Sequence, residues 1–272
     1  MVQRPLGNHH HRPETQLVTS DTTQTDAVAT QTENLRDTIT RARFVLFDFD
    51  GPICRLYAGH AAETVARDLV DWLERQGMRG LLTPEESRHP DPLEVLHAVD
   101  RRRPRSDLVA ELEARFTQQE LKAVPKAWPT EYADAVIRTW TAVGVRLAVT
   151  TNNSPRTAAR YLEGRGLAEC FAPHIYGRTQ DLRHLKPDPD CLNRALKAFG
   201  AEPSKALMIG DAPSDLYAAQ RAGVPFLGYA RHEDKEKQLR DAGAEHVVTS
   251  MKTVLRALWG QHRGGARDAP TG

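Results

Sequence analysis

Residues 43–51 read RFVLFDFDG, a short apolar run that ends in two aspartates and a glycine. The run at 43–47 has the length and composition of a buried strand. Gly51 permits a tight turn after it. Asp48 therefore stands where the strand ends, and Asp50 follows two residues later. In an open parallel sheet, ligands bind outside the carboxyl ends of the strands, so this stretch predicts a functional site as well as a strand.

Apolar runs that alternate with amphipathic segments continue toward the C-terminus. Ser154 and Pro155 fit the N-cap and first residue of a helix, and Ser214 and Gly223 fit the two ends of a later one. This alternation predicts an α/β fold with a Rossmann-like, doubly wound and mainly parallel sheet. The further predicted strands are VRLAVT (145–150), HIY (174–176), ALMI (206–209), VPFLGY (224–229) and HVV (246–248).

One long segment between the first two predicted strands breaks the alternation. It contains helical patterns such as AAETVARDLVDWLERQ, with apolar residues at three- and four-residue spacing, and no convincing strand. We therefore predict a helical cap domain at residues 57–125, inserted after the first strand. The α/β core is expected to comprise residues 41–56 and 126–260.

The two ends of the chain differ from the rest in composition. Residues 1–40 are polar and rich in Thr and Gln, and residues 261–272 are rich in Gly and charge. Such segments bury too little apolar surface to offset the entropy lost on ordering. Both are therefore predicted to be disordered tails.

The overall charge excludes one broad class of function. The 272 residues include 37 basic and 36 acidic side chains, so nothing draws the chain generally to nucleic acid or to an anionic membrane. No apolar run approaches the roughly 20 residues that span a bilayer, and the N-terminus lacks a signal-peptide pattern. We expect a cytoplasmic protein that binds neither nucleic acid nor membrane, with its oligomeric state left open.

Three further motifs place polar side chains near the ends of predicted elements. Thr151 and Asn152 follow the second strand in VTTNN, Lys186 stands in HLKPDPD, and Asp211 and Asp215 stand in MIGDAPSD. Hydroxyl and amide groups suit phosphoryl oxygens, a lysine neutralises carboxylate and phosphoryl charge, and carboxylates suit a hard cation such as Mg²⁺. Each motif alone also fits an ordinary role in a turn, at a helix start or on the surface.

In their order, the four motifs resemble those of the haloacid dehalogenase superfamily, in its phosphoglycolate phosphatase-like branch. The family motifs are Asp-x-Asp, a strand-end Ser or Thr, a Lys, and Gly-Asp-x-x-x-Asp. Here they stand at 48–50, Thr151, Lys186 and 210–215. The resemblance covers about residues 43–259. Most members are phosphatases, and that branch has a helical cap between its first two motifs.

The resemblance implies a phosphatase that uses Mg²⁺ and acts on a small phosphorylated metabolite through an aspartyl-phosphate. It makes Asp48 the nucleophile and Asp50 the acid that protonates the leaving alkoxide and then activates water. It makes Lys186 the bridge between Asp48 and the phosphate, with Thr151 and Asn152 holding the phosphoryl group. The metal ligands that it implies are Asp48, the backbone carbonyl of Asp50, Asp211, and Asp215 directly or through water.

Two positions depart from the family pattern. Pro52 stands where relatives have Thr or Val, and it removes a backbone donor from the loop after Asp50. Arg55 stands where relatives often have Asp, and it fits either a contact with an anionic part of the substrate or a solvated surface charge.

Three other functions compete with the phosphatase prediction. A 2-haloacid dehalogenase lacks the second aspartate and needs no metal, so Asp50, Asp211 and Asp215 argue against it. A sugar phosphomutase stays open as an alternative. A catalytically silent binding protein on the same fold also stays open, because Pro52 departs from the family pattern in the catalytic loop. The identity of the phosphate ester is also open.

Overall fold

The computed structural model describes residues 33–264, and six strands in this range form one parallel sheet. Its order is β5-β4-β1-β6-β7-β8, which is the 3-2-1-4-5-6 order of a Rossmann-like fold when only sheet strands are counted. Each predicted strand is confirmed within two residues at its ends. The strands are β1 (Phe44–Phe47), β4 (Arg146–Thr150), β5 (Ile175–Tyr176), β6 (Ala206–Gly210), β7 (Phe226–Tyr229) and β8 (Val247–Val248).

Helices cover both faces of the sheet, because alternate residues of each strand point to opposite sides. Leu46 packs in a cluster with apolar residues of α9 (Asp190–Phe199) and α10 (Pro213–Ala222). Phe47 meets the edges of Trp140 and Phe171, with ring centroids 5.8 and 6.0 Å away. These two rings belong to α6 (Ala133–Ala142) and α8 (Ala168–Phe171). The doubly wound α/β prediction is therefore confirmed.

The ends of the helices in the α/β part of the chain agree with most of the predicted start and stop residues. Pro155 begins α7 (Pro155–Gly164), as predicted. Gly223 ends α10 in the left-handed conformation, also as predicted. Ser214 is not the N-cap of α10, because the helix already begins at Pro213. The other helices are α11 (Glu233–Asp241), α12 (Met251–Gly264) and the 3₁₀ turns Leu182–His184 and Pro203–Lys205.

The segment between β1 and α6 is helical, apart from a two-residue strand near each end. Strand β2 (Cys54–Arg55) pairs antiparallel with β3 (Trp128–Pro129). Two residues are too few to show a period, so these strands were not predicted. Between them lie α2 (Ala62–Arg75), α3 (Pro84–Ser87), α4 (Pro92–Arg102), α5 (Asp107–Ala123) and the 3₁₀ turn Val124–Lys126.

The apolar faces of α2, α4 and α5 share one buried cluster, which includes Leu69, Val95 and Leu112. Leu182 and Leu185, which precede Lys186 in the chain, belong to the same cluster. The helical insertion therefore packs directly against the loop that carries the predicted lysine. Its assignment as a separate cap domain at 57–125 stays a prediction.

The two segments predicted to be disordered tails are helical where the structure describes them. Helix α1 covers residues 33–41, and α12 continues to Gly264. These helices overlap the segments 1–40 and 261–272 that were predicted to be disordered. The predicted boundaries are therefore corrected, and residues 1–32 and 265–272 lie outside the described residues. Within 33–264, no helix combines the length and apolarity needed to cross a membrane.

Candidate active site

The predicted site lies at the carboxyl edge of the two central strands. Phe47 pairs with Ile209 in the sheet register, and the backbone N–H of Asp48 donates to the carbonyl of Ile209 at 2.8 Å. Asp48 and the turn at Gly210-Asp211 therefore leave the sheet side by side. Here the chain order reverses between β1 and β6, the point at which α/β sheets bind ligands.

Lys186 lies at the centre of this site. Its Nζ donates to Asp48 Oδ1 at 2.9 Å, to Asp215 Oδ1 at 2.5 Å and to the carbonyl of Thr150 at 2.9 Å. Burial alone lowers the pKa of a lysine, yet the attraction of Asp215 and Asp48 raises the Lys186 pKa above its ordinary value. The ammonium group is thus fixed and charged between two carboxylates.

Three carboxyl groups in and beside this cluster have raised pKa values. Burial raises the pKa of Asp48 to about 7 against the attraction of Lys186, and the charges of Asp215 and Asp211 raise it further. Burial also raises the pKa of Asp50 to about 6, against the hydrogen bond from the Leu56 backbone. Burial raises the Asp211 pKa to about 6 as well. The site therefore holds more negative charge than its lysine stabilises.

The donor set fits a divalent cation. One carboxylate oxygen from each of Asp48, Asp211 and Asp215 lies within 4.8 Å of the other two. Hard oxygen ligands of this kind are those that Mg²⁺ and Ca²⁺ prefer. A cation placed among them would remove the repulsion that raises the pKa of Asp48.

Asp215 also holds the turn that follows β6. Its Oδ2 accepts the backbone N–H groups of Asp211 and Ala212 at 3.0 and 3.1 Å, while Oδ1 binds Lys186. A side chain at Gly210 would collide with Asp215. Both oxygens of Asp215 therefore already have partners within the protein, and its position fixes both Asp211 and Lys186.

The loop after Asp48 accommodates Pro52 without losing a hydrogen bond. The backbone hydrogen bonds of the loop are donated by the amides of Gly51, Ile53 and Cys54. The loop therefore does not need an N–H group at Pro52. Gly51 has a φ of 119°, and a side chain there would collide with Asp211. The far end of this loop holds the Asp50 side chain, because the backbone N–H of Leu56 donates to Asp50 Oδ1 at 2.8 Å.

Thr151 and Asn152 lie where they were predicted, next to the Lys186 loop. The Asn152 side chain donates to the Lys186 carbonyl at 3.1 Å and accepts the Lys186 N–H at 2.8 Å. Its amide is thus engaged with the backbone of Lys186, which favours a positioning role over the predicted phosphate contact. The Thr151 hydroxyl accepts the N–H of Asn153 at 3.1 Å and donates to its side chain at 3.0 Å.

Arg55 does not line the cavity that contains Asp48 and Asp50. Its guanidinium lies over the ring of Trp128, 5.2 Å from the centroid. The structure thus places Arg55 beside the strand pair β2–β3, away from the predicted substrate contact.

That cavity has a volume of about 440 Å³ and lies between the sheet edge and the helical insertion. Asp48, Asp50, Thr151, Asn152 and Lys186 line it on the core side. Its opposite wall includes Tyr57, Glu63, Pro90, Asp91, Leu93 and Phe116.

Two ionic contacts were not predicted from sequence. Lys235 of α11 forms an ion pair with Asp211. It belongs to the charged stretch HEDKEK, which resembles any solvated helix surface. Arg178 and Glu120 form a buried pair, and both side chains are fully buried. Glu120 sits in a helical pattern rich in charged residues, so sequence alone offered no signal for its burial.

The buried pair joins the insertion to the loop at 151–154. Glu120 on α5 accepts from the Asn153 side chain at 2.9 Å and from the Ser154 N–H at 3.0 Å. Arg178 donates to both carboxylate oxygens of Glu120 and to the carbonyl of Asn152 at 3.0 Å. Glu113 adds a second acid beside Arg178. These contacts fix the backbone from Asn152 to Ser154.

The fold and the site together define a haloacid dehalogenase-like hydrolase. The sequence model of that family matches residues 42–223, and the chain belongs to this family. The resemblance noted from the four motifs is thereby confirmed.

Among its relatives are phosphoglycolate phosphatases. The chain is 41% identical over 101 residues to the one of Rhodospirillum rubrum, covering 36% of this chain and less than half (41%) of that protein. It is 30% identical over 200 residues to the one of Neisseria meningitidis, covering 70% of this chain and 81% of that protein. The crystal structure of a predicted phosphatase from Clostridium acetobutylicum shares the fold, with a TM-score of 0.60. The two chains are 18% identical, and the match covers 80% of this chain and 98% of that one.

We predict that Glu120→Gln lowers the free energy of unfolding by about 3 kcal/mol, because it leaves the buried Arg178 charge under-compensated. Urea unfolding followed by circular dichroism measures this loss. Glu163→Gln is the control, since Glu163 pairs with Arg160 at 3.6 Å on the surface. That variant should lose less than about 1 kcal/mol. Equal losses in the two variants would show that the buried pair does not anchor the loop.

Proposed function

We propose that this chain is a magnesium-dependent phosphatase that hydrolyses a small phosphate monoester through an aspartyl-phosphate on Asp48. One observation carries the proposal: Asp48 faces the cavity with one oxygen held by Lys186, while Asp211 and Asp215 complete a carboxylate cluster beside it. A nucleophile, a fixed cation and a set of metal ligands thus meet at one point. The names of the relatives, phosphoglycolate phosphatases, support the same reaction class.

In the first half-reaction, a carboxylate oxygen of Asp48 attacks phosphorus and the bond from phosphorus to the ester oxygen breaks. Lys186 keeps Asp48 in place and offsets the charge of the phosphoryl group. Asp50 gives its proton to the departing alkoxide. Its raised pKa of about 6, caused by burial, makes the protonated form available near neutral pH.

In the second half-reaction, Asp50 takes a proton from water, and the water oxygen attacks the phosphorus of the aspartyl-phosphate. The bond from phosphorus to the Asp48 oxygen breaks, which releases inorganic phosphate and restores the carboxylate. Thr151 and the backbone beside it line the cavity where the phosphoryl oxygens would lie. Asn152 acts as a positioning residue, because it holds the Lys186 backbone.

Mg²⁺ would be held by Asp48, Asp211 and the Asp50 carbonyl, with Asp215 positioning Asp211 and binding through water. When bound, the ion supplies positive charge that stabilises the phosphoryl oxygens and orients the group for in-line attack. Lys235, which pairs with Asp211, lowers the pKa of that carboxyl group against the larger effect of burial.

Asp48→Asn should reduce kcat on the order of 10⁴-fold or more, because an amide nitrogen cannot replace the attacking oxygen. Release of inorganic phosphate from p-nitrophenyl phosphate measures the loss, and the melting temperature checks that the fold is retained. Turnover near the wild-type rate in a well-folded variant would exclude covalent catalysis by Asp48.

Asp50→Asn should separate the two half-reactions. Nitrophenolate is a weak base that leaves without a proton, so this variant should still release about one equivalent of p-nitrophenol in a rapid burst. Steady-state turnover should then fall about 10²- to 10⁴-fold, since no base activates water. An alkyl phosphate should show no burst. Equal losses for aryl and alkyl esters in single-turnover experiments would exclude Asp50 as the acid.

Removal of divalent cations with EDTA should abolish phosphatase activity, and Mg²⁺ should restore it. Mg²⁺ should also raise the melting temperature, because binding to the folded state relieves carboxylate repulsion. This thermal shift should be lost in Asp211→Asn. Full activity after exhaustive chelation would contradict the metal assignment, and metal-independent chloride release from a 2-haloacid would favour a dehalogenase instead.

A further inference from the structure

The wall of the cavity opposite the phosphoryl centre is acidic. Glu63 lies in the first turn of α2, and Asp91 is the N-cap of α4, where its Oδ1 accepts the Leu93 N–H at 2.8 Å. Both residues line the cavity that Asp48 faces. Their carboxylates therefore border the space that the leaving group of a phosphate ester would occupy.

The two acids of this wall have no ion-pair partner in the described part of the chain. Neither Glu63 nor Asp91 takes part in an ion pair there, and Lys186 is the one basic residue that lines the cavity. Lys186 is already bound to Asp48 and Asp215. Within the described residues, the two acids of the insertion wall therefore have no ion-pair partner, although Arg178, which is bound to Glu120, lies behind Phe116.

Three arginines of the insertion pair with acids outside the cavity lining. Arg101 and Arg102 pair with Glu86, at 3.2 and 2.8 Å. Arg115 pairs with Asp68 at 2.8 Å. Neither these three arginines nor Arg55, which lies on Trp128, lines the cavity.

The chemistry of this wall selects between leaving groups. A carboxylate on the leaving group would be repelled by both acids, whereas an ammonium group would be attracted by them. Tyr57 adds an aromatic residue to the same wall, and aromatic rings attract cations. Pro90 and Leu93 offer apolar contacts for a short carbon skeleton.

We propose that the natural substrate is a phosphate ester whose leaving group carries a protonated amine, as in the phosphate of an amino alcohol or an amino sugar. This inference rests on the proposed phosphatase function and concerns its substrate class. It separates the chain from relatives whose name specifies phosphoglycolate, because the leaving group of that ester carries a carboxylate. Glu63 and Asp91 are the specificity-determining residues.

The test uses two-carbon phosphate esters that differ at one end: O-phosphoethanolamine, 2-hydroxyethyl phosphate and 2-phosphoglycolate. The wild-type enzyme with Mg²⁺ should show kcat/KM values that fall in that order, with the ammonium ester favoured over the carboxylate ester by at least about tenfold. In Glu63→Gln and Asp91→Asn, the ratio between these two esters should fall about two- to fivefold for each change, as for an exposed charge contact.

Glu74→Gln is the matched control. It removes the same charge from the far end of α2, outside the cavity lining, so the ratio should stay at the wild-type value. Asparagine at position 91 retains the ability to cap α4, and melting temperatures check that all variants fold.

The outcomes distinguish this inference from the function on which it rests. Preference for 2-phosphoglycolate by the wild-type enzyme would overturn it, as would a ratio that Glu63→Gln and Asp91→Asn together leave unchanged. In either case, hydrolysis of p-nitrophenyl phosphate would leave the phosphatase proposal standing. If wild-type enzyme with Mg²⁺ hydrolyses none of the four esters, the phosphatase proposal fails and the amine-substrate inference fails with it.

Discussion

The buried ammonium of Lys186, bound at once to Asp48 and Asp215, is the contact on which the rest of the site depends. Two buried carboxylates, one directly after β1 and one in the first turn of α10, repel each other strongly, and the charge of the lysine compensates for this repulsion. Asp215 in turn holds the backbone of Asp211. Because one charge organises both loops, the proposed nucleophile and the proposed metal ligands are positioned before any ligand binds.

The helical insertion takes part in this organisation. Glu120 on α5 holds the backbone after Thr151, and Leu182 and Leu185 place the segment before Lys186 in the apolar cluster of the insertion. Two of the loops that build the site thus depend on contacts with the segment that also walls the cavity. Changes in the insertion are therefore expected to reach the phosphoryl centre as well as the leaving group.

The two walls of the cavity differ in what they can tell about function. The core wall carries the four motifs of the family, so it indicates the reaction class that members of the family share. The insertion wall carries Glu63 and Asp91, which lie outside those four motifs. Substrate selection is for this reason better read from the insertion than from the names of relatives.

The sequence by itself determined the six sheet strands, the doubly wound fold and the family, because buried strands and strand-end motifs leave local patterns. It also located Asp48, Lys186 and Asp211 near the ends of their elements. Only the tertiary structure decided that Asn152 holds the Lys186 backbone, that Arg55 stacks on Trp128, and that Glu120 is buried against Arg178. These contacts join residues far apart in the chain, and a charged side chain in a helical pattern has the same appearance whether it faces solvent or a buried partner. Burial and pairing of charges are set by how the insertion packs on the core, which no local periodicity encodes.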